Sequence, residues 1–220
     1  MARLPHSERV ALEGPAGPLE LLIETPPAAG AGDPAGPRAF AVVCHPHPLH
    51  GGTLDNKVVW TVARAFEQLG APAIRFNFRG VGASGGRYDD GRGETEDALA
   101  VVGYGRERWP GAALWLAGFS FGGVIALRAA AVEACERVVL IAPGITRIDT
   151  AGVGAPGCPM LIVQGDADDV VPAPAVLEWA RTLHPAPTIR VLTGAGHFFH
   201  GRTLELRDAV LGFMAARGGS

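Results

Sequence analysis

The stretch that decides the fold is ALWLAGFSFGGVIALRAAAV, residues 113–132. Its opening, 113–118, is apolar and reads as a strand, and 121–132 reads as a helix. Between them stands Gly118-Phe119-Ser120-Phe121-Gly122, a G-x-S-x-G. With 31 glycines and four serines in 220 residues, chance alone yields roughly 0.1 such matches, so the bare pattern carries little. The context carries more. A serine on a sharp strand-to-helix turn is strained and exposed, and flanking glycines keep neighbouring side chains from colliding.

The same alternation extends on both sides. Residues 39–44 are a continuous apolar run, and 57–69 have helical spacing in Val58, Val59, Val62, Phe66 and Leu69. Strands are expected at 73–78, 138–142, 160–164 and 188–192, and helices from about 94 to 108, at 173–183 and at 204–216. Short apolar strands alternating with such helices imply an α/β fold, a mostly parallel sheet covered on both faces. Two short strands at 10–13 and 19–25 add an antiparallel edge, for about eight strands. Residues 26–37 are Pro, Gly, Ala and one Asp. They read as a flexible loop and not a boundary, because the residues before them cannot build a core. A single domain over 1–220 is expected. In such sheets ligands sit beyond the carboxyl ends of the strands, so chemistry belongs directly after a strand.

Composition removes several classes. The 31 glycines and 18 prolines fall just short of the ~25–30% of low-complexity chains, and 48% apolar with 19% charged residues is globular. A net charge of −3 offers no basic field, so neither nucleic acid nor an anionic membrane is an expected partner. Cys44, Cys135 and Cys158 are odd in number and lack C-x-x-C spacing, which supports neither a disulfide framework nor a thiolate zinc site. No signal peptide is visible at residues 1–14, and the nearly uncharged run 111–127 is short for a membrane span. A soluble cytoplasmic protein is expected.

A serine hydroxyl needs a base, itself oriented by a third group. His197 follows the strand at 188–192 in a glycine loop, Gly194-Ala-Gly-His197. His200 is the other candidate, nearer the last helix and without that loop. Three acids, Asp166, Asp168 and Asp169, follow the strand at 160–164. Two patterns read as decoys. His45, His47 and His50 resemble a metal cluster, but only Asp55 stands near and two prolines stiffen the segment, so no metal is expected. Gly80-Val-Gly82-Ala-Ser-Gly85 is a literal G-x-G-x-x-G, yet loop follows it where a dinucleotide site needs a helix.

These features together resemble the α/β-hydrolases, and among them the small bacterial serine hydrolases similar to dienelactone hydrolase. The resemblance runs from Phe40 to the end. It rests on residues 45–59, on Arg75-Phe-Asn-Phe-Arg-Gly-Val-Gly-Ala-Ser84, on the turn at 118–123, and on Gly165-Asp-Ala-Asp168 with Val171-Pro172. The order Ser, Asp, His is that superfamily's. It implies Ser120 as nucleophile, His197 as base and, three residues after the strand-ending glycine, Asp168 as acid, with Asp166 and Asp169 still open. The oxyanion hole is expected from the Phe121 N–H and a donor in the loop after 39–44, where His45-Pro46 resembles the family's His-Gly. Pro46 and Pro48 have no N–H, which leaves His47, or Leu49. Where relatives often insert a helical cap, residues 143–159 are too short and glycine-rich for one. The expectation is a lidless serine hydrolase of short-acyl esters or thioesters, without cofactor. A peptidase, an acyltransferase or a non-catalytic binding protein on the same fold are the alternatives.

Overall fold

The computed structural model describes residues 6–26, 36–150 and 152–216. The chain builds β1 (His6–Gly14), β2 (Gly17–Thr25), β3 (Ala39–Cys44), α1 (Lys57–Gln68), β4 (Ala73–Phe76) and α2 (Arg92–Arg108). It continues with β5 (Ala113–Phe119), α3 (Phe121–Ala130), β6 (Arg137–Ile141), β7 (Met160–Gly165), α4 (Ala173–Arg181), β8 (Thr188–Leu192) and α5 (Thr203–Ala215). The strands form one eight-stranded sheet in the order β1-β2-β4-β3-β5-β6-β7-β8. β1 and β2 form an antiparallel hairpin, β2 joins β4 antiparallel, and every pairing from β4 to β8 is parallel.

Side chains alternate across the central strands and fill two layers. Phe40, Val42, Leu116, Leu140 and Ile162 pack with Val101, Ile125 and Val176 from α2, α3 and α4. Val43, Ala117, Ile141 and Val163 pack with Val62, Phe66 and Leu206 from α1 and α5. Burial on both faces is why β3 and β7 are apolar almost throughout. The described part of 143–159 consists of turns and irregular chain, with no helix to cover the sheet end. Among the described residues no helix is long and apolar enough to cross a membrane.

The differences from the expected boundaries have local causes. β4 stops at Phe76, short of 78, because Phe78 N–H leaves the ladder and donates to His45 Nε2 at 3.0 Å. α2 starts at Arg92, before 94, because the Glu94 carboxylate accepts from Gly91 N–H at 2.8 Å and Asp89 N–H at 2.9 Å, capping the first turn. α4 ends at Arg181 and not 183, shortly before Pro185. β1 runs from His6 to Gly14 and not over 10–13 alone. It is an edge strand whose Ser7, Arg9 and Glu13 are exposed, registered with β2 from His6↔Thr25 to Gly14↔Gly17. Most of the loop expected at 26–37 lies outside the described residues. Ser84, in the glycine-rich loop after β4, serves the turn. It donates to Asn77 O at 2.7 Å and accepts from Glu20 N–H at 2.9 Å.

Candidate active site

β5 delivers Ser120 to the carboxyl edge of the sheet with φ 54° and ψ −115°, a conformation a non-glycine residue adopts only under strain. The neighbouring backbone holds it there. Ser120 N–H donates to Ile141 O at 2.9 Å, and Ser120 O accepts from Gly123 and Gly144 N–H at 3.0 and 2.9 Å. The glycines of the motif are sterically required. A Cβ on Gly118 would run into the Gly122 carbonyl, and one on Gly122 into the carbonyls of Cys44 and His45.

His197 enters from the loop after β8. Its Nε2 lies 3.0 Å from Ser120 Oγ and its Nδ1 2.8 Å from Asp168 Oδ2. Both His197 and Asp168 are buried, whereas Ser120 is half-buried. An ionised carboxylate only accepts, so the imidazole proton sits on Nδ1 and the Nε2 lone pair faces the serine hydroxyl. Burial alone would raise the Asp168 pKa. The hydrogen bonds from His197 and from the Val171 and Val170 N–H groups outweigh it and hold the carboxyl below its usual range. Those two N–H groups reach Asp168 Oδ1 at 2.8 and 2.9 Å.

The alternatives sit elsewhere. Asp166 accepts from Gly194 N–H at 2.6 Å and so tethers the loop that carries His197. Asp169 is exposed. His200 is exposed and stacks on Phe198. Gln164 was not singled out in the sequence. Fully buried at the end of β7, it donates from Nε2 to Asp168 Oδ2 at 3.0 Å and to Val171 O at 3.0 Å. The available signal was a polar residue closing an otherwise apolar strand.

The loop after β3 forms the opposite wall. His45 is fully buried; its Nε2 accepts from Phe78 N–H and its Nδ1 lies 2.6 Å from Pro46 O, so both ring nitrogens are bound to backbone. Burial pushes its pKa down to about 4, with the neighbouring His47 adding to the shift. A trans peptide carries its C=O and N–H on opposite sides. Holding Pro46 O against the His45 ring therefore turns the His47 N–H away from it. That N–H has no acceptor among the described residues, whereas the Leu49 N–H is taken by His47 Nδ1 at 3.2 Å. The Phe121 N–H, at the first position of α3, has no intrahelical acceptor. A cavity of about 510 Å³ opens over Ser120 and His197, and its walls include His47, Phe121, Ile148, Val170 and Phe198.

Comparison with known proteins agrees with this frame. A family model described as alpha/beta hydrolase fold matches residues 49–155. An uncharacterized protein of Rickettsia prowazekii (strain Madrid E) is 33% identical over 185 residues, 80% of this chain and 78% of that protein. A serine hydrolase of Xanthomonas campestris described as lacking a lid is 40% identical, with 95% of this chain and 94% of that one covered at a TM-score of 0.88. An alpha-beta serine hydrolase homologue of Coxiella burnetii is 41% identical, with 94% and 97% covered at a TM-score of 0.87. With its sheet order, its exposed sheet end and these relatives, the chain belongs to the α/β-hydrolase superfamily as one of its small members without a lid.

Proposed function

We infer that the protein hydrolyses esters or thioesters of small, short-acyl substrates through an acyl-enzyme. The observation that carries this reading is the unbroken hydrogen-bonded chain from Ser120 Oγ through His197 to Asp168 at the floor of an uncovered cavity. Ser120 Oγ attacks the carbonyl carbon while His197 Nε2 takes its proton. Asp168 holds the proton on Nδ1 and stabilises the imidazolium. The tetrahedral oxyanion is met by the N–H groups of Phe121 and His47. Collapse breaks the bond to the leaving group, which receives the proton from His197. Water, deprotonated by His197, then attacks the acyl carbon, and the acid leaves with Ser120 restored. These steps draw on side chains and backbone alone, and the substrate is a small molecule met in the cytoplasm.

The cavity supports short acyl groups: Ile148, Val170 and Phe198 give it apolar wall, and at about 510 Å³ and open to solvent it would leave much of a long chain hydrated. The test is Ser120→Ala, which should abolish both p-nitrophenyl acetate turnover and labelling by a fluorophosphonate probe. Full activity in that variant would overturn the reading. A panel of acyl esters and acyl thioesters of increasing length, run on the wild type, then separates the two substrate classes.

A further inference from the structure

At the far edge of the sheet, away from Ser120, two of the three cysteines meet. Cys135 lies just before β6 and Cys158 just before β7, and these strands are parallel neighbours with Val138 opposite Met160. Both chains therefore enter the sheet side by side. The two Sγ atoms, 23 residues apart in sequence, stand 3.1 Å from one another, about 1 Å beyond the ~2.05 Å of a disulfide. Both residues are half-buried. The odd cysteine count hid this pair, because the third member, Cys44, is fully buried in β3.

We propose that Cys135 and Cys158 form a reversible dithiol–disulfide couple whose oxidant is a small hydroperoxide. The hydrogen bond between the two thiols lets either one stabilise the thiolate of the other, so either can react first, Cys158 for instance. Its sulfur attacks one peroxide oxygen, the O–O bond breaks, and the departing oxygen takes a proton and leaves as water or an alcohol. Cys158 is then a sulfenic acid. Cys135 sulfur attacks the Cys158 sulfur, the S–S bond forms, the S–O bond breaks, and hydroxide leaves with the Cys135 proton as water. The two sulfurs together lose two electrons and the peroxide gains them. A dithiol reductant reverses the step by exchange.

The bond would tie the returning end of the segment between β6 and β7 to the start of β6. That segment carries Gly144, Arg147 and Ile148 in the wall of the cavity. Bridging removes freedom from the unfolded chain, so the oxidised protein should melt about 5–10 °C higher than the reduced one.

The experiment uses the full chain treated with hydrogen peroxide. Thiol titration in denaturant should fall from three to one, the intact mass should drop by two hydrogens, and peptide mapping should join Cys135 to Cys158 with Cys44 still reduced. Dithiothreitol should restore all three thiols and the lower melting temperature. Cys135→Ser and Cys158→Ser should each fail to form the cross-link, with a dimedone-reactive sulfenic acid on the remaining cysteine of at least one of them. Sulfinic acid without a cross-link in the wild type would overturn the proposal. So would intermolecular dimers as the main product. None of these readouts depends on Ser120, so failure here leaves the hydrolase reading standing, and the reverse holds too.

Discussion

Two loops at the carboxyl edge of the sheet each bury a histidine, and the two rings are held in opposite ways. His45, after β3, and His197, after β8, are both almost inaccessible, and each has both ring nitrogens engaged. The partners make the difference. His45 is satisfied entirely by backbone, Phe78 N–H on one side and Pro46 O on the other, so its neutral form is locked and its pKa sits at about 4. His197 lies between a carboxylate and a hydroxyl, so a proton arriving on Nε2 would be met by Asp168 across the ring. Burial therefore says nothing about role. A histidine clamped by uncharged backbone is architecture, and one backed by an acid is equipped to move protons.

The largest effect should come from disturbing the second loop. His197→Gln or Asp168→Asn should lower kcat about 10³–10⁴-fold on an activated ester, with the melting temperature little changed. An activity loss below tenfold would erase the contrast between the two histidines. His47→Pro comes next. His47 has φ −52°, which proline adopts without strain, so the substitution deletes one N–H and leaves the chain path intact. If that N–H binds the oxyanion, kcat falls about 10²–10³-fold with KM nearly constant, whereas His47→Ala, which keeps the N–H, stays near wild type. Equal kcat for both variants would remove His47 from the oxyanion hole.

His45 should show itself in stability. Its folded pKa lies below the ordinary value of 6.5, so the unfolded chain binds the proton more readily. The stabilisation is complete above pH 6.5 and drains away as the pH falls towards 4, amounting to about 3 kcal/mol. Glu67 works in the other sense. Burial, with Glu24 nearby, pushes its carboxyl up to about 7, so its contribution weakens as the pH rises from 4.5 to 7. Subtraction separates them. Urea unfolding of wild type and His45→Asn should differ most at pH 7.5 and least at pH 4. A gap that does not change with pH would mean that His45 is not held neutral.

How much of this was legible depended on whether the signal was local. The turn at Ser120 was legible because its steric demands fall on adjacent residues, the glycines at 118 and 122. The alternating strands and helices were legible because burial on both faces of a parallel sheet writes continuous apolar runs. The meaning of His45 was not, since its partner Phe78 is 33 positions away and is a backbone N–H, which any residue there would supply. The same holds for Gln164, whose hydrogen bond to Asp168 follows from how the loop after β7 folds back. The clustering of Cys135 and Cys158 arises from strand order, with no spacing rule to announce it.

The three aspartates after β7 give the finest test. Asp168 points both carboxylate oxygens inward, to His197 and Gln164 and to the N–H groups of Val170 and Val171. Asp166, two residues earlier, reaches across to Gly194 N–H at 2.6 Å and anchors the loop that holds His197. It ties down its loop through backbone, as His45 does the other. Asp166→Asn keeps an oxygen able to accept that N–H and loses only the charge, about 1 kcal/mol of a charge-assisted bond. The expected fall in kcat/KM is about fivefold or less, against about 10³–10⁴-fold for Asp168→Asn. The two variants share one loop and one chemical change, so the ratio between them isolates position. Were Asp166→Asn the more damaging, the acid's role would pass to Asp166, and the bond to Gly194 would have to break for His197 to be served.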